Sequence, residues 1–102
     1  MKFKLIYITA PDKSIATNIA KTLVQEKLAA CVNIIGSIES HYIWEDELVQ
    51  NDEILLFAKT TKTLEARLLV RVKELHPYKV PCVISLDITN GEPNFLKWIK
   101  ES

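Results

Sequence analysis

The run Ala30-Cys31-Val32-Asn33-Ile34-Ile35-Gly36-Ser37-Ile38-Glu39-Ser40-His41-Tyr42-Ile43-Trp44 decides the fold of this chain. Its even positions, Ala30, Val32, Ile34, Gly36, Ile38, Ser40, Tyr42 and Trp44, are mostly apolar, whereas the odd ones include Cys31, Asn33, Ser37, Glu39 and His41, with Glu45 next in phase. Alternation of period two marks a strand with one apolar face. At about 3.3 Å per residue the strand is roughly 50 Å long, against about 30 to 35 Å for a compact domain of this size. It has to bend or project, and Gly36 is where a bend or bulge is expected. Beyond it, Ile38, Tyr42, Ile43 and Trp44 need a partner surface, so strand length measured against chain length points to assembly.

The remaining sequence fits around this strand. The 102 residues, 48% of them hydrophobic, suffice for one domain spanning 1–102. Thirteen basic and thirteen acidic side chains cancel, which leaves no field to attract nucleic acid or an anionic membrane. The apolar start, Phe3 to Ile8, soon meets Thr9-Ala10-Pro11-Asp12 and is too short to span a bilayer. A cytoplasmic protein is expected, with Cys31 and Cys82 as reduced thiols, since two isolated cysteines make neither a disulfide framework nor a Cys-x-x-Cys pair.

A first strand is predicted over Phe3 to Thr9, followed by a helix capped by Asp12 and striped by Ile15, Ala16, Ile19, Ala20, Leu23 and Val24. The long strand turns around Glu45-Asp46-Glu47 into a return strand over Leu48 to Thr60. The Ile54-Leu55-Leu56-Phe57-Ala58 portion is apolar on both faces, as in a strand covered on both sides. Thr61 or Thr63 caps a second helix that His76-Pro77 ends. A fourth strand runs from Cys82 to Ile88, and a short helix begins at Pro93. This predicts an α+β, ferredoxin-like β-α-β-β-α-β antiparallel sheet with helices on one face, a long β2-β3 hairpin and an added C-terminal helix. Such a fold hosts many functions and decides none.

Six motifs then occur in order: Thr9-Ala10-Pro11-Asp12, Lys27-Leu28-Ala29-Ala30-Cys31-Val32-Asn33-Ile34, Tyr42-x-Trp44, Lys59-Thr60-Thr61, His76-Pro77-Tyr78-x-x-Pro81 and Phe95-Leu96-x-Trp98. Together they make the chain resemble the CutA family, the divalent-cation-tolerance proteins. The resemblance implies a compact homotrimer, PII-like in architecture, in which the hairpin reaches onto a neighbour. It also implies a role linked to copper and other divalent cations, no required cofactor and no established catalytic reaction. Copper ligands proposed for some members correspond here to Ile8, Leu75 and Cys82. Two of these cannot ligate a metal, and the third is a softer donor that suits Cu(I) or Zn(II).

Each candidate site has a plainer reading beside it. His76 and Cys82 could together hold copper or another divalent cation; His76 also fits a helix terminus that Pro77 blocks, and this is the favoured reading. Trp44, Lys59 and Tyr78 could line a ligand cleft between subunits, although Tyr42 and Trp44 are better read as trimer contacts. Cys31 reads as a packed thiol. Glu45, Asp46, Glu47, Asp52 and Glu53 lack the ligand spacing of a calcium loop and read as a solvated hairpin tip, with Asp46 at the turn giving a looser bend than glycine would. Catalysis is not expected. An acylphosphatase of this fold would need a phosphate-cradling loop and an arginine after the first strand, and Arg67 and Arg71 lie on the second helix.

Overall fold

The computed structural model describes residues 2–102. The apolar runs form β1 (Phe3–Ala10), β2 (Cys31–Trp44), β3 (Glu47–Thr61) and β4 (Val83–Ile88), paired antiparallel in the order β2-β3-β1-β4. Three helices, α1 (Lys13–Gln25), α2 (Lys62–Leu75) and α3 (Pro93–Glu101), complete the expected element order. Boundaries differ from expectation by one residue: β1 and β3 run further, and β4 starts after Cys82, whose carbonyl accepts from the Thr9 amide at 3.3 Å.

Local chemistry fixes the helix ends. The Asp12 carboxylate accepts from the Ile15 amide at 2.9 Å and starts α1. Lys27 takes the left-handed conformation after α1, with φ of 59°, while the Leu28 amide returns to the Leu23 carbonyl at 2.9 Å. Thr61 occupies the cap position of α2, but its side chain makes no capping bond. Its neighbour Thr60 is the working hydroxyl, donating at 2.7 Å to the buried Leu28 carbonyl. Pro93 opens α3 where its missing amide costs nothing, and the Glu92 carboxylate accepts from the Asn94 and Phe95 amides.

The core forms where one face of the sheet meets α1 and α2. Ile6 and Ile8 of β1, Leu56 and Ala58 of β3, Ala16, Ile19 and Leu23 of α1, and Leu68 and Val72 of α2 are wholly inaccessible. The expectation of helices on one face holds for these two and fails for α3. Lys59 is out of phase with the core residue Ala58, and its ammonium lies 5.4 Å above the Phe95 ring of α3. Ile99 of α3 is buried outside the main cluster. The cause is the doubly apolar stretch of β3, whose second face carries Leu55 and Phe57 and gives the apolar stripe of α3 something to cover.

Gly36 is a bulge, as expected: pairing runs from Ile35↔Leu55 directly to Ser37↔Ile54. The consequence corrects the reading of the strand. Before the bulge Val32 and Ile34 face the core opposite Ala58 and Leu56; after it Ile38, Tyr42 and Trp44 lie opposite Glu53, Val49 and Glu47, in phase with Leu55 and Phe57 on the other face. The even positions therefore share no single face. One extra residue transfers the apolar side of the distal hairpin to the face that carries α3.

The hairpin turn is also tighter than expected. Trp44 pairs with Glu47, and the two residues between them, Glu45 and Asp46, have φ of 51° and 65°. Two positive φ values in a two-residue loop are the requirement of a type I′ turn, met here without glycine or asparagine. The matching right-handed twist is obtained at a cost in backbone strain. The hairpin projects, giving extents of 45 × 25 × 23 Å and a radius of gyration of 14.2 Å, above the roughly 13 Å of a compact chain this long.

Candidate functional site: an aromatic cleft beside the hairpin

The loop from His76 to Cys82 crosses the face to which the bulge delivers Tyr42 and Trp44. Helix α2 stops because Pro77 disfavours helical geometry at His76, whose backbone turns extended with ψ of 135°. The His76 ring is buried and doubly bonded: Nε2 donates to the Thr9 carbonyl at 2.7 Å, and Nδ1 accepts from the Tyr78 amide at 3.2 Å. One neutral tautomer satisfies both. The Thr9 amide bonds the Cys82 carbonyl, so the end of β1 holds the loop at both of its ends.

Between loop and hairpin lies a cleft of about 550 Å³, lined chiefly by Tyr42, Trp44, Asn51, Glu53, Tyr78 and Cys82. The Asn51 amide donates to the Tyr42 hydroxyl, which fixes one wall. The Tyr78 ring packs against His76 with centroids 4.8 Å apart. Burial first, then the negative charge of nearby Glu53, pushes the Tyr78 hydroxyl above its ordinary pKa. Glu53 itself is only 6% exposed, and no ion pair among the described residues includes it.

Of the residues expected to line a ligand cleft between subunits, Trp44 and Tyr78 lie together within one chain and Lys59 lies apart from them. Lys59 lies opposite Cys31 and Leu5, its ammonium 2.7 Å from the Asn33 amide oxygen. The pairing partner of Trp44 is twelve residues away on β3, roughly 40 Å at about 3.3 Å per residue. Of the expected metal pair, Cys82 lines the cleft, whereas both nitrogens of His76 are already used and the imidazole is unavailable as a donor. The described residues contain no group of three or more histidine, cysteine or acidic side chains placed to hold a metal ion. Cys31 and Cys82 are unpaired thiols, and His41 lies exposed beside Glu39 at 2.6 Å.

Glu53 is what the sequence reading missed. It was grouped with the acidic residues of a solvated tip, yet it pairs with Ile38 and is buried. One signal was present: along β3 it is in phase with Leu55 and Phe57, a carboxylate on an otherwise apolar face.

A four-stranded antiparallel sheet with three helices, an over-long β2-β3 hairpin and a cleft bordered by the loop after α2 define a small α+β fold in which the hairpin is the distinguishing part. The model of the CutA1 divalent ion tolerance protein family matches residues 4–102, and the chain belongs to that family. It is 44% identical over 99 residues to the divalent-cation tolerance protein CutA of Thermus thermophilus, covering 97% of this chain and 96% of that one. It is 44% identical to the chloroplastic protein CutA of Arabidopsis thaliana, where 96% of this chain spans only 54% of the relative. The crystal structure of CutA1 from Oryza sativa superposes with a TM-score of 0.96 at 40% identity, covering 99% of this chain and 93% of that one.

Proposed function

We propose that this chain serves divalent-cation tolerance as a non-enzymatic, PII-like homotrimer in the cytoplasm. Its contact with copper or another divalent cation is weak and passes through the cleft rather than through a preformed metal centre. The family match over residues 4–102 carries the cation-tolerance part of this reading. The assembly part is supported by the hairpin, where Ile43 and Leu48 are largely exposed and Tyr42 and Trp44 are partly so. Cys82 is the one soft donor in the cleft and Glu53 the one carboxylate, which is too few for tight binding.

Calorimetric titration with Cu(II), Cu(I) and Zn(II), alongside light scattering for mass, tests both parts. Weak uptake that C82S abolishes, by a particle of three subunits, is the expected result. No uptake at sub-millimolar metal removes direct cation contact, and a single-subunit mass at micromolar protein removes the trimer. A second reading, small-ligand signalling without metal, is favoured by the aromatic lining of the cleft.

A further inference from the structure

We propose that the cleft between the hairpin and the His76–Cys82 loop binds a small organic cation, an alkylammonium or alkylguanidinium group, with Glu53 as its counter-charge and Tyr42, Trp44 and Tyr78 as its walls. This rests on the small-ligand reading above and deepens it; the counter-charge and the three aromatic walls belong to one chain.

The first observation is the charge on Glu53. A carboxylate 94% removed from water normally has a basic partner, because desolvating an unpaired charge is costly. Glu53, at 6% exposure, has no lysine, arginine or histidine within ion-pair distance among the described residues. Lys79 also lines the cleft, but it is an exposed residue and forms no ion pair with Glu53. The site therefore offers a buried carboxylate without a basic partner, which a cationic guest would supply.

The second observation is the wall. Three aromatic rings border the same space, and ring faces attract cations, tryptophan most strongly. They suit an organic cation better than a hydrated metal ion, which would need six or more oxygens where the described residues supply no such cluster. A volume of about 550 Å³ accommodates a small molecule. The Asn51 to Tyr42 bond and the anchoring of the loop through His76 hold the walls in place before any guest arrives. The raised pKa of Tyr78 is consistent with this: its hydroxyl stays neutral beside Glu53 and can donate to the carboxylate without adding a second negative charge.

The test uses the full chain in a Trp98→Phe background, so that fluorescence reports Trp44 alone. Butylguanidinium, butylammonium and tetramethylammonium are titrated against butyrate as the charge-reversed control, with light scattering on the same samples. The expected result is saturable change at sub-millimolar concentration for the cations and none for butyrate. Glu53→Gln should weaken binding at least tenfold, and Lys79→Met should tighten it by removing a like charge from the lining. Should the buried Gln variant fold poorly, Trp44→Leu, at a half-exposed position, carries the test by abolishing tetramethylammonium binding. No saturation by any cation at millimolar concentration, or equal response to butyrate, overturns the proposal. A trimeric particle that binds no cation also overturns it, since a neighbour's side chain then fills the cleft. Binding by a particle of single-subunit mass overturns the assembly reading alone and supports this one.

Discussion

Replacing Ile43 and Leu48 together by threonine should dissociate the assembly without loosening the subunit. The two residues face each other across the hairpin next to the turn, on the side opposite Tyr42 and Trp44, and are 65% and 74% exposed. Burying such a side chain fully is worth about 1.5 to 3 kcal/mol. The exposed fractions leave roughly 1.5 kcal/mol for each to gain from a neighbour, of which threonine, keeping one methyl group, forfeits about 1 kcal/mol. Two residues on each of three hairpins then amount to about 6 kcal/mol per trimer, or about four orders of magnitude in the association constant at 1.4 kcal/mol per tenfold. Because trimer formation depends on the square of free subunit concentration, the half-dissociation concentration should rise roughly a hundredfold. Threonine preserves strand propensity, so the circular dichroism of the dilute variant should match that of the parent. Sedimentation velocity over a dilution series reads the mass. A double variant that keeps the parent's mass at every dilution, or a parent that is monomeric at micromolar concentration, refutes the reasoning.

Three further outcomes follow from the structure. Asp46→Gly, at a φ of 65°, relieves strain at the turn and should raise stability by about 0.5 to 1 kcal/mol in urea unfolding at unchanged slope; a lower midpoint counts against the strained turn. Gly36 is not in the left-handed region and a Cβ there would meet nothing within 4 Å, so Gly36→Ala should be tolerated and stabilise by about 0.4 to 1 kcal/mol; a fall in solution mass with the subunit still folded would reveal a neighbour packed on the bulge. Glu65, held low first by the Ser85 hydroxyl and then by Lys62, belongs with Glu26, lowered by Arg71, and Asp87, lowered by Lys4. Each folded-state pKa lies below its unfolded one, so the stability these groups contribute is complete above the ordinary glutamate value of 4.5 and is lost as pH falls through the lower folded values. Melting temperatures between pH 3 and 7 should therefore drop on the acid side, less steeply in Glu65→Gln and also in Ser85→Ala, which brings the folded Glu65 value back toward its unfolded one.

The elements were legible because each carries its own local signal. Asp12 caps α1 through a bond that needs only the next turn of chain, Pro93 opens α3 for a reason internal to the helix, and the doubly apolar Ile54 to Ala58 run announced a strand with two covered faces. The cleft was only half legible. Tyr42, Trp44, Tyr78 and Cys82 were singled out, but alternation continues without a break through Gly36, so nothing in the pattern reveals that the bulge reverses the faces. Lys59 is expected in a cleft between subunits; within the chain the strand register places it at the far end of β3 from the partner of Trp44. His76 as a ligand failed for a tertiary reason: the Thr9 carbonyl that takes its Nε2 proton is 67 residues away in sequence. Neither pairing is visible before the chain is folded.

The pattern of uncovered apolar residues also bears on the kind of assembly. Apart from Val24, Val70 and Val80, they fall into two unlike patches. One combines Ile35, Ile84 and Leu86 on the sheet face shared with α3, together with Phe95 and Trp98 of that helix, and is broad. The other, Ile43 and Leu48 on one side of the hairpin with Tyr42 and Trp44 on the other, is narrow and sits at the end of a projecting arm. A twofold dimer joins like to like, which would require the broad face to be complementary to itself and would leave the arm in water. A head-to-tail contact, arm of one copy on the face of the next, covers both patches at once, and such heterologous contacts either close into rings or propagate as filaments. The bulge at Gly36 and the strained turn at Glu45 and Asp46 set the direction of the arm. If the proposed assembly forms, the geometry that decides ring against filament is set by two short stretches of this same hairpin.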